Sequence, residues 1–352
     1  MNPPDDPVRL AAARLVLEKL GFDPAELFAA SPAGPQVPTF EEYIPVVTAA
    51  VSVGTRRTYE PYWSKIRLDW GSRRLDEPTP SEIKQLAEVV KAGVVVRRNS
   101  RNGRGAVELF VSALRCLYSH AVADGLVDDD NPSTKVQKPA RLPSGRHALP
   151  AHRLVEINHT AATTGNDPEL DTLLLRFHTE TAARRGGALA LRTPGDLDAE
   201  QCLVRLHEKG ETVRWQPVSP TLMAHLLAHA KHRQAPHGGQ LLRYENGRPI
   251  SGRRYDYLWT RLGQHLPWVA TQQVTVHWLR YTTLTWVERN FGYAIARAYA
   301  GHSSNTGAVG ATATYVQATL QEVAAALQAL CGEAHPLAAQ GGSVDHLGAR
   351  GT

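Results

Sequence analysis

The chain has 352 residues, of which 42% are hydrophobic and 21% are charged, and its net charge is +5. This length allows two domains with cores of their own, and the positive charge suits a polyanionic partner. Cys116, Cys202 and Cys331 are odd in number and far apart, which argues against a disulfide framework or a zinc site. Asp5 and Asp6 argue against a signal peptide, and no apolar run is long enough for a membrane span. We therefore expect a cytoplasmic protein.

The first 39 residues predict an extension that is helical in part and flexible in the rest. Residues 8–20 can form a short amphipathic helix, and Ser31–Pro35, with two prolines and a glycine, then breaks the chain. The extension is net acidic, so the positive charge of the chain lies after it. Its function stays open.

Residues 40–133 predict an all-helical domain. Four apolar residues recur at helical spacing and indicate its first helix: Tyr59, Trp63, Ile66 and Trp70. A second helix begins at Thr79, with Pro80 in its first turn and Glu82 completing a capping box. A third helix is predicted over residues 105–124, where an apolar pattern ends at a glycine.

Two basic stretches without acidic residues flank the third helix. The one before it holds Lys91, Arg97, Arg98, Arg101 and Arg104. The one after it lies in a predicted linker, residues 134–147, and holds Lys135, Lys138, Arg141 and Arg146. Either stretch alone fits a solvated loop as well as it fits a phosphate contact. Their position on both sides of one helical domain favours contacts with the backbone of a nucleic acid.

Residues 148–332 predict a second domain that mixes helices with a β-hairpin. The predicted helices include residues 167–191, 277–289 and 316–330. Residues 202–218 alternate in the manner of two short strands and turn at Glu208–Glu211. The composition of residues 333–352, rich in glycine, alanine and serine, predicts a disordered tail.

Three small motifs in the second domain point to anion chemistry. His277 and Arg280 share one helix face and can reach the same phosphate. Gly301-His302 and a lone Tyr315 follow them. Each motif alone is weak, because 15 histidines and 39 lysines and arginines produce such pairs by chance. A glycine at a helix end and a tyrosine in a core are equally ordinary.

In combination, the motifs resemble the boxes of the tyrosine recombinase (phage integrase) family. Residues Val276–Thr283 are similar to the family's His-x-Leu-Arg-His-Thr box, and Ala300–Ser304 to its Leu-Gly-His-Ser-Ser box. Tyr315 follows a threonine-rich approach, as the family's nucleophile does. Residues Leu114–Pro132 resemble the family's core-binding domain.

The resemblance extends to two residues upstream. Arg184 resembles the family's first catalytic arginine, and Lys209, at the predicted hairpin tip, its β-hairpin lysine. Arg185 is a rival for the first arginine. We prefer Arg184 because it sets Leu191 and Arg192 in the family's register.

The resemblance implies an architecture and partners. The fold expected is mainly α with a small β-hairpin or sheet, in which two domains form a C-shaped clamp on DNA. The segments are an N-terminal extension (1–39), a SAM-like helical core-binding domain (40–133), a basic linker (134–147), a mixed α+β catalytic domain (148–332) and a disordered tail (333–352). The implied partners are double-stranded DNA recombination sites, a homotetramer on DNA and accessory directionality proteins. The C-terminal helix can dock on a neighbouring protomer or pack on its own domain.

The resemblance also implies an active site without metal or cofactor: Arg184, Lys209, His277, Arg280, His302 and Tyr315. Guanidinium groups suit the charge that builds on the phosphate oxygens. The implied roles are general acid for Lys209, general base for His277, phosphate hydrogen bonding for His302 and nucleophile for Tyr315. The candidate DNA contacts are Arg97, Arg98, Arg101, Arg104, Lys135, Lys138 and Arg141.

Three departures from the family pattern keep alternatives open. Gly187 stands where the family usually has a carboxylate that buttresses the first arginine, and Tyr281 stands where it has a histidine. The interval from His302 to Tyr315 is also longer than usual. A type IB topoisomerase-like nicking-closing enzyme and a catalytically inactive DNA-binding relative therefore remain as alternatives to a recombinase. The DNA target and the biological role, whether integration, excision or resolution, are not set by the sequence.

Overall fold

The computed structural model describes residues 15–16, 19–20, 37–94, 101–140, 146–208, 212–302 and 318–338, with residue 101 described by its backbone alone. The chain forms two compact units, Met1–Pro143 and Ser144–Thr352. The division falls inside the segment that we predicted as the linker. Most of the helix predicted over residues 8–20 lies outside the described residues.

The described part of the first unit is helical, as predicted. Its helices are α1 (Phe40–Ala50), α2 (Val53–Trp70), α3 (Pro80–Ala92) and α4 (Arg104–Ala123). Thr79 and Glu82 form the predicted capping box of α3. Helix α1 was not predicted, although Thr39 and Glu42 cap it in the same way.

A single aromatic core holds these helices together. Its largest fully buried side chains include Phe40, Trp63, Phe110 and Tyr118. The Trp63 indole nitrogen donates to the carbonyl of Ala113 at 3.1 Å, which satisfies its one polar group. Helix α4 is long and apolar enough to cross a membrane by composition, but its apolar residues supply much of this core.

The second unit surrounds a larger core with helices and a small sheet. Its elements are α5 (Ala151–Thr163), α6 (Pro168–Thr181), α7 (Arg185–Ala190), β1 (Leu197–Asp198), β2 (Leu203–His207), β3 (Val213–Pro217), α8 (Pro220–His232), α9 (Gly252–His265), α10 (Pro267–Gln272), α11 (Val276–Phe291), α12 (Tyr293–Tyr299) and α13 (Leu320–Cys331). The sheet is antiparallel in the order β1-β2-β3. The predicted hairpin is therefore confirmed, with β1 as an added strand. The predicted fold class, mainly α with a small sheet, is confirmed as well.

The single helix predicted over residues 167–191 is wrong. The chain breaks between α6 and α7, where Ala182 is left-handed (φ 49°) and Arg184 is extended as the N-cap of α7. The buried ring of His178 lies 3.0 Å from the carbonyl of Ala183, and the Thr181 hydroxyl accepts from the Ala183 amide at 3.1 Å. These local bonds satisfy backbone groups that a continuous helix would have used.

The C-terminal boundaries also differ from the prediction. Helix α13 begins at Leu320 rather than residue 316, because Thr319 and Glu322 form a capping box there. The disordered tail was predicted from residue 333, but Glu333 pairs with Arg176 at 2.7 Å and Leu337 is buried. Residues 339–352 lie outside the described residues. Three side chains of α13 join the core of its own unit: Val323, Ala326 and Leu327.

Candidate active site

Helix α11 presents Arg280 to the interior of the second unit. Arg280 is 9% exposed, and its guanidinium donates to the carbonyls of Ala182 and, at 2.8 Å, Ala300. These carbonyls lie just beyond the ends of α6 and α12, where backbone acceptors lack helical partners. His277, one turn earlier on α11, is exposed. The two residues of the first motif therefore lie one turn apart on the same helix, but Arg280 is buried and His277 is exposed.

The chain break before α7 places Arg184 against a buried carboxylate. The Arg184 guanidinium donates to Glu208, which directly follows β2 and whose side chain is 1% exposed. The same carboxylate lies 3.6 Å from a guanidinium nitrogen of Arg214 on β3 and 4.0 Å from one of Arg280. Three arginines thus converge on Glu208. Arg185 instead pairs with Asp256 at 3.6 Å and is exposed.

The arginine cluster carries more positive charge than Glu208 can neutralise. Burial, together with the neighbouring arginines, lowers the pKa of Arg280 to about 9, and burial, opposed by Tyr299 and aided by Arg184, lowers the pKa of Arg214 to about 10. Both stay charged at neutral pH. The Nε and one Nη of Arg214 are buried and have no hydrogen-bond acceptor in the part of the chain that the structure describes. Such a cluster is suited to an anionic ligand.

Gly301 turns the chain so that His302 joins this cluster. The Gly301 amide bonds the carbonyl of Ala298 at 2.9 Å, and the His302 amide bonds that of Arg297 at 3.2 Å. This is a Schellman ending of α12, with Gly301 left-handed at φ 66°. Burial and then the charges of Arg280 and other arginines lower the pKa of His302. The Gly-His pair is therefore both a helix cap and part of the site.

His277 lies in the same positive field. Although the side chain is exposed, neighbouring atoms desolvate the ring, and this is the first cause that lowers its pKa. The charges of four arginines lower the pKa further: Arg146, Arg185, Arg280 and Arg184. A histidine with a lowered pKa is neutral at pH 7 and can accept a proton. The chemistry available to it is therefore that of a base.

Of the six predicted active-site residues, Arg184 and Arg280 lie at Glu208. His302 follows Gly301, which lies against Arg214, and His277 lies one turn from Arg280 on α11. Lys209 and Tyr315 lie outside the described residues. Lys209 directly follows Glu208, whose amide donates to the Thr212 carbonyl at 2.8 Å across the base of the hairpin loop.

The predicted DNA contacts belong to the first unit and are only partly described. Arg97, Arg98 and Arg141 lie outside the described residues, and Arg101 is seen by its backbone in a short 3₁₀ turn. Three others are exposed: Arg104, Lys135 and Lys138. Lys135 pairs with Asp130 at 2.9 Å, an exposed pair that contributes little to stability and leaves the lysine accessible.

Glu208 and Arg214 were not predicted as site residues. The alternation in β3 indicated the opposite face for Arg214, because the apolar Val213 and Trp215 predict a buried face but are exposed, whereas Arg214 faces inward. Glu208 gave no signal beyond its place beside Lys209. Among the described residues, no group of three or more His, Cys, Asp or Glu side chains is placed to hold a metal ion.

Comparison with protein-family models and with curated protein sequences finds no match. Solved structures do match. A lambda integrase dimer bound to a COC′ core site is 15% identical with a TM-score of 0.58, over 90% of this chain and 88% of that one. A lambda integrase tetramer bound to a Holliday junction gives the same values. The Tn1549 transposon integrase in complex with transposon right-end DNA is 17% identical with a TM-score of 0.60, over 84% and 100%. The chain therefore has the fold of the integrases of the tyrosine recombinase family, as its sequence motifs predicted.

Proposed function

We propose that this protein is a site-specific DNA recombinase that cuts and rejoins DNA through a covalent 3′-phosphotyrosine, without metal or ATP. The observation that carries the proposal is the cluster of Arg184, Arg214 and Arg280 around Glu208 within an integrase fold. The positive field of these arginines reaches the predicted site histidines His277 and His302, which adds support. The structural neighbours include integrases bound to DNA, which supports DNA as the partner.

In this proposal the site binds one phosphodiester of the DNA backbone. Arg184 and Arg280 hold the nonbridging oxygens, and His302 donates a further hydrogen bond. The Tyr315 oxygen attacks phosphorus while neutral His277 takes its proton. The bond from phosphorus to the 5′-oxygen breaks, and Lys209 protonates that oxygen as it leaves. The protein is left joined to the 3′-phosphate, and a 5′-hydroxyl reverses the same step.

The proposal extends to a homotetramer on two DNA sites. Four strands must be cut to exchange two duplexes, and each protomer has one tyrosine for this purpose. A lambda integrase tetramer on a Holliday junction is among the structural neighbours, which supports this assembly by analogy. Within one protomer α13 packs on its own unit, so docking on a neighbour would require it to leave that place.

The test uses DNA chosen by the protein itself. Duplexes enriched by binding from a random pool are rebuilt as suicide substrates, with a nick beside the cleaved bond so that the cut fragment diffuses away. We expect a covalent protein–DNA adduct in EDTA and without ATP, and none with Tyr315→Phe. An adduct that persists in Tyr315→Phe, or no adduct from the parent protein, would refute the enzyme proposal. Products that join two duplexes indicate a recombinase, whereas religation alone indicates a topoisomerase-like activity.

A further inference from the structure

We propose that Glu208 is the positioning residue that fixes Arg184 for phosphate binding and offsets the charge of Arg214 and Arg280, in the space that the absence of a side chain at Gly187 leaves open. The proposal rests on the proposed function, because it concerns how that site is held. It assigns a role to a residue that neither the motifs nor the resemblance indicated.

The contacts of Glu208 are those of a central counterion. Its carboxylate accepts from Arg184 and lies within 4.0 Å of guanidinium nitrogens of both Arg214 and Arg280. The side chain of Glu208 is 1% exposed, so water screens these interactions poorly. Without a carboxylate, three buried or half-buried guanidinium groups would repel one another and separate. Glu208 therefore sets the spacing of the arginines.

The net positive charge that Glu208 leaves on the arginine cluster suits the proposed cleavage of a phosphodiester. Three arginines and one glutamate leave two positive charges around the site. A phosphodiester carries one negative charge, and more charge develops on its oxygens as the nucleophile adds. Glu208 thus reduces the repulsion between the arginines without cancelling the field that binds the phosphate.

The geometry at Gly187 explains why the carboxylate can come from the hairpin. A Cβ atom built on Gly187 would lie 3.6 Å from the Cγ of Glu208 and 3.8 Å from its Oε1. A glutamate side chain reaches roughly 3.6 Å from its Cβ to its carboxylate oxygens, given carbon–carbon bonds of about 1.5 Å. A glutamate at position 187 and Glu208 would therefore deliver a carboxylate to nearly the same point.

The test is a set of three variants assayed at saturating DNA: Glu208→Gln, Glu208→Ala and the double variant Glu208→Ala/Gly187→Glu. A displacement of catalytic groups by about 1 Å costs roughly 100-fold in rate, so we expect each single variant to form adduct about 100-fold more slowly. Affinity for DNA should change by less than about threefold, and the double variant should regain at least about tenfold. Alanine at position 208 is used because it makes room for the new side chain.

Asp196→Asn is the matched control. Asp196 is also a buried carboxylate that pairs with an arginine of the sheet, Arg205 at 2.8 Å, but it does not contact Arg184 or Arg280. We expect it to lower the unfolding temperature and leave the cleavage rate of the folded protein nearly unchanged. The proposal is overturned if Glu208→Gln cleaves within about threefold of the parent, if its loss only matches that of Asp196→Asn, or if Gly187→Glu restores nothing.

Crystal structures give a readout that does not depend on cleavage. In Glu208→Ala the Arg184 side chain should leave its place, and in the double variant it should return. An Arg184 that stays in place in Glu208→Ala overturns the proposal. A parent protein that forms no adduct would instead refute the proposed function, and the position of Arg184 in these structures would still decide the role of Glu208.

Discussion

Gly301 offers a quantitative test of how tightly the site is packed. A Cβ atom on Gly301 would lie 2.2 Å from the Nε of Arg214 and 2.4 Å from its Cδ, so alanine there must displace the arginine. The left-handed backbone adds about 1 kcal/mol for a residue with a Cβ. Displacing a buried guanidinium from its carboxylate adds roughly 1–3 kcal/mol. We therefore expect Gly301→Ala to lower the free energy of unfolding by about 2–4 kcal/mol.

Gly332→Ala is the matched control, because Gly332 is also left-handed (φ 73°) after a helix, but no neighbouring atom of the described residues lies within 4 Å of the built Cβ. It should lose only the backbone cost of about 1 kcal/mol and cleave DNA normally. Urea unfolding measures the stabilities, and adduct formation at saturating DNA measures the rate. In an Arg214→Ala background, the cost of Gly301→Ala should fall to that of the control. Equal losses for the two glycine variants, or the same loss in both backgrounds, would refute the reasoning.

Arg184, His277 and Asp171 provide tests of the first arginine, of the base and of a buried ion pair. Arg184→Lys should slow adduct formation at least about 100-fold, because lysine lacks the planar guanidinium that binds two phosphate oxygens. Arg185→Lys should change the rate of adduct formation only a fewfold. Equal effects of the two substitutions would contradict our choice of Arg184. The base must be neutral to accept a proton, and the pKa of His277 is lowered from 6.5. The rate of adduct formation at subsaturating DNA should therefore fall as the pH is lowered, with a midpoint below pH 6.5. A midpoint at pH 6.5 or above in a pH–rate profile would contradict this. Asp171→Asn should lower the free energy of unfolding by about 3–5 kcal/mol in urea titrations, because Asp171 is fully buried between Arg254 and Arg261; a loss below 1 kcal/mol would contradict it.

Local signals in the sequence were enough to predict the elements whose causes are local. The capping box of Thr79 and Glu82 lies within four residues, and the structure has it as predicted. The turn at Gly301 is equally local, since a glycine after an apolar helix predicts a left-handed C-cap. The fold class followed from such elements together with the order of the motifs. These features need no knowledge of distant contacts.

The break before Arg184 shows what local signals cannot predict. Residues 167–191 have the apolar pattern of one helix, but the structure ends α6 at Thr181. The carbonyl of Ala182 is bound by Arg280, which is 98 residues away in the chain. Glu208 is likewise 24 residues from Arg184. Tertiary contacts determine both the end of α6 and the partner of Arg184. Residue patterns and motif spacing in the sequence therefore could not predict the partners of the active-site arginines.

Arg280 and Arg184 consequently differ in what their substitution can reveal. Arg280 is buried and binds the carbonyls of Ala182 and Ala300, so it joins the ends of two helices as well as contributing charge. Removing it would leave two buried acceptors unsatisfied, at a cost of roughly 1–3 kcal/mol each. A loss of cleavage in an Arg280 variant would therefore mix unfolding with chemistry. The side chain of Arg184 is 37% exposed and bonds Glu208, so its substitution disturbs the folded core less. Arg184 is thus the position at which a change in cleavage rate reports most directly on phosphate binding.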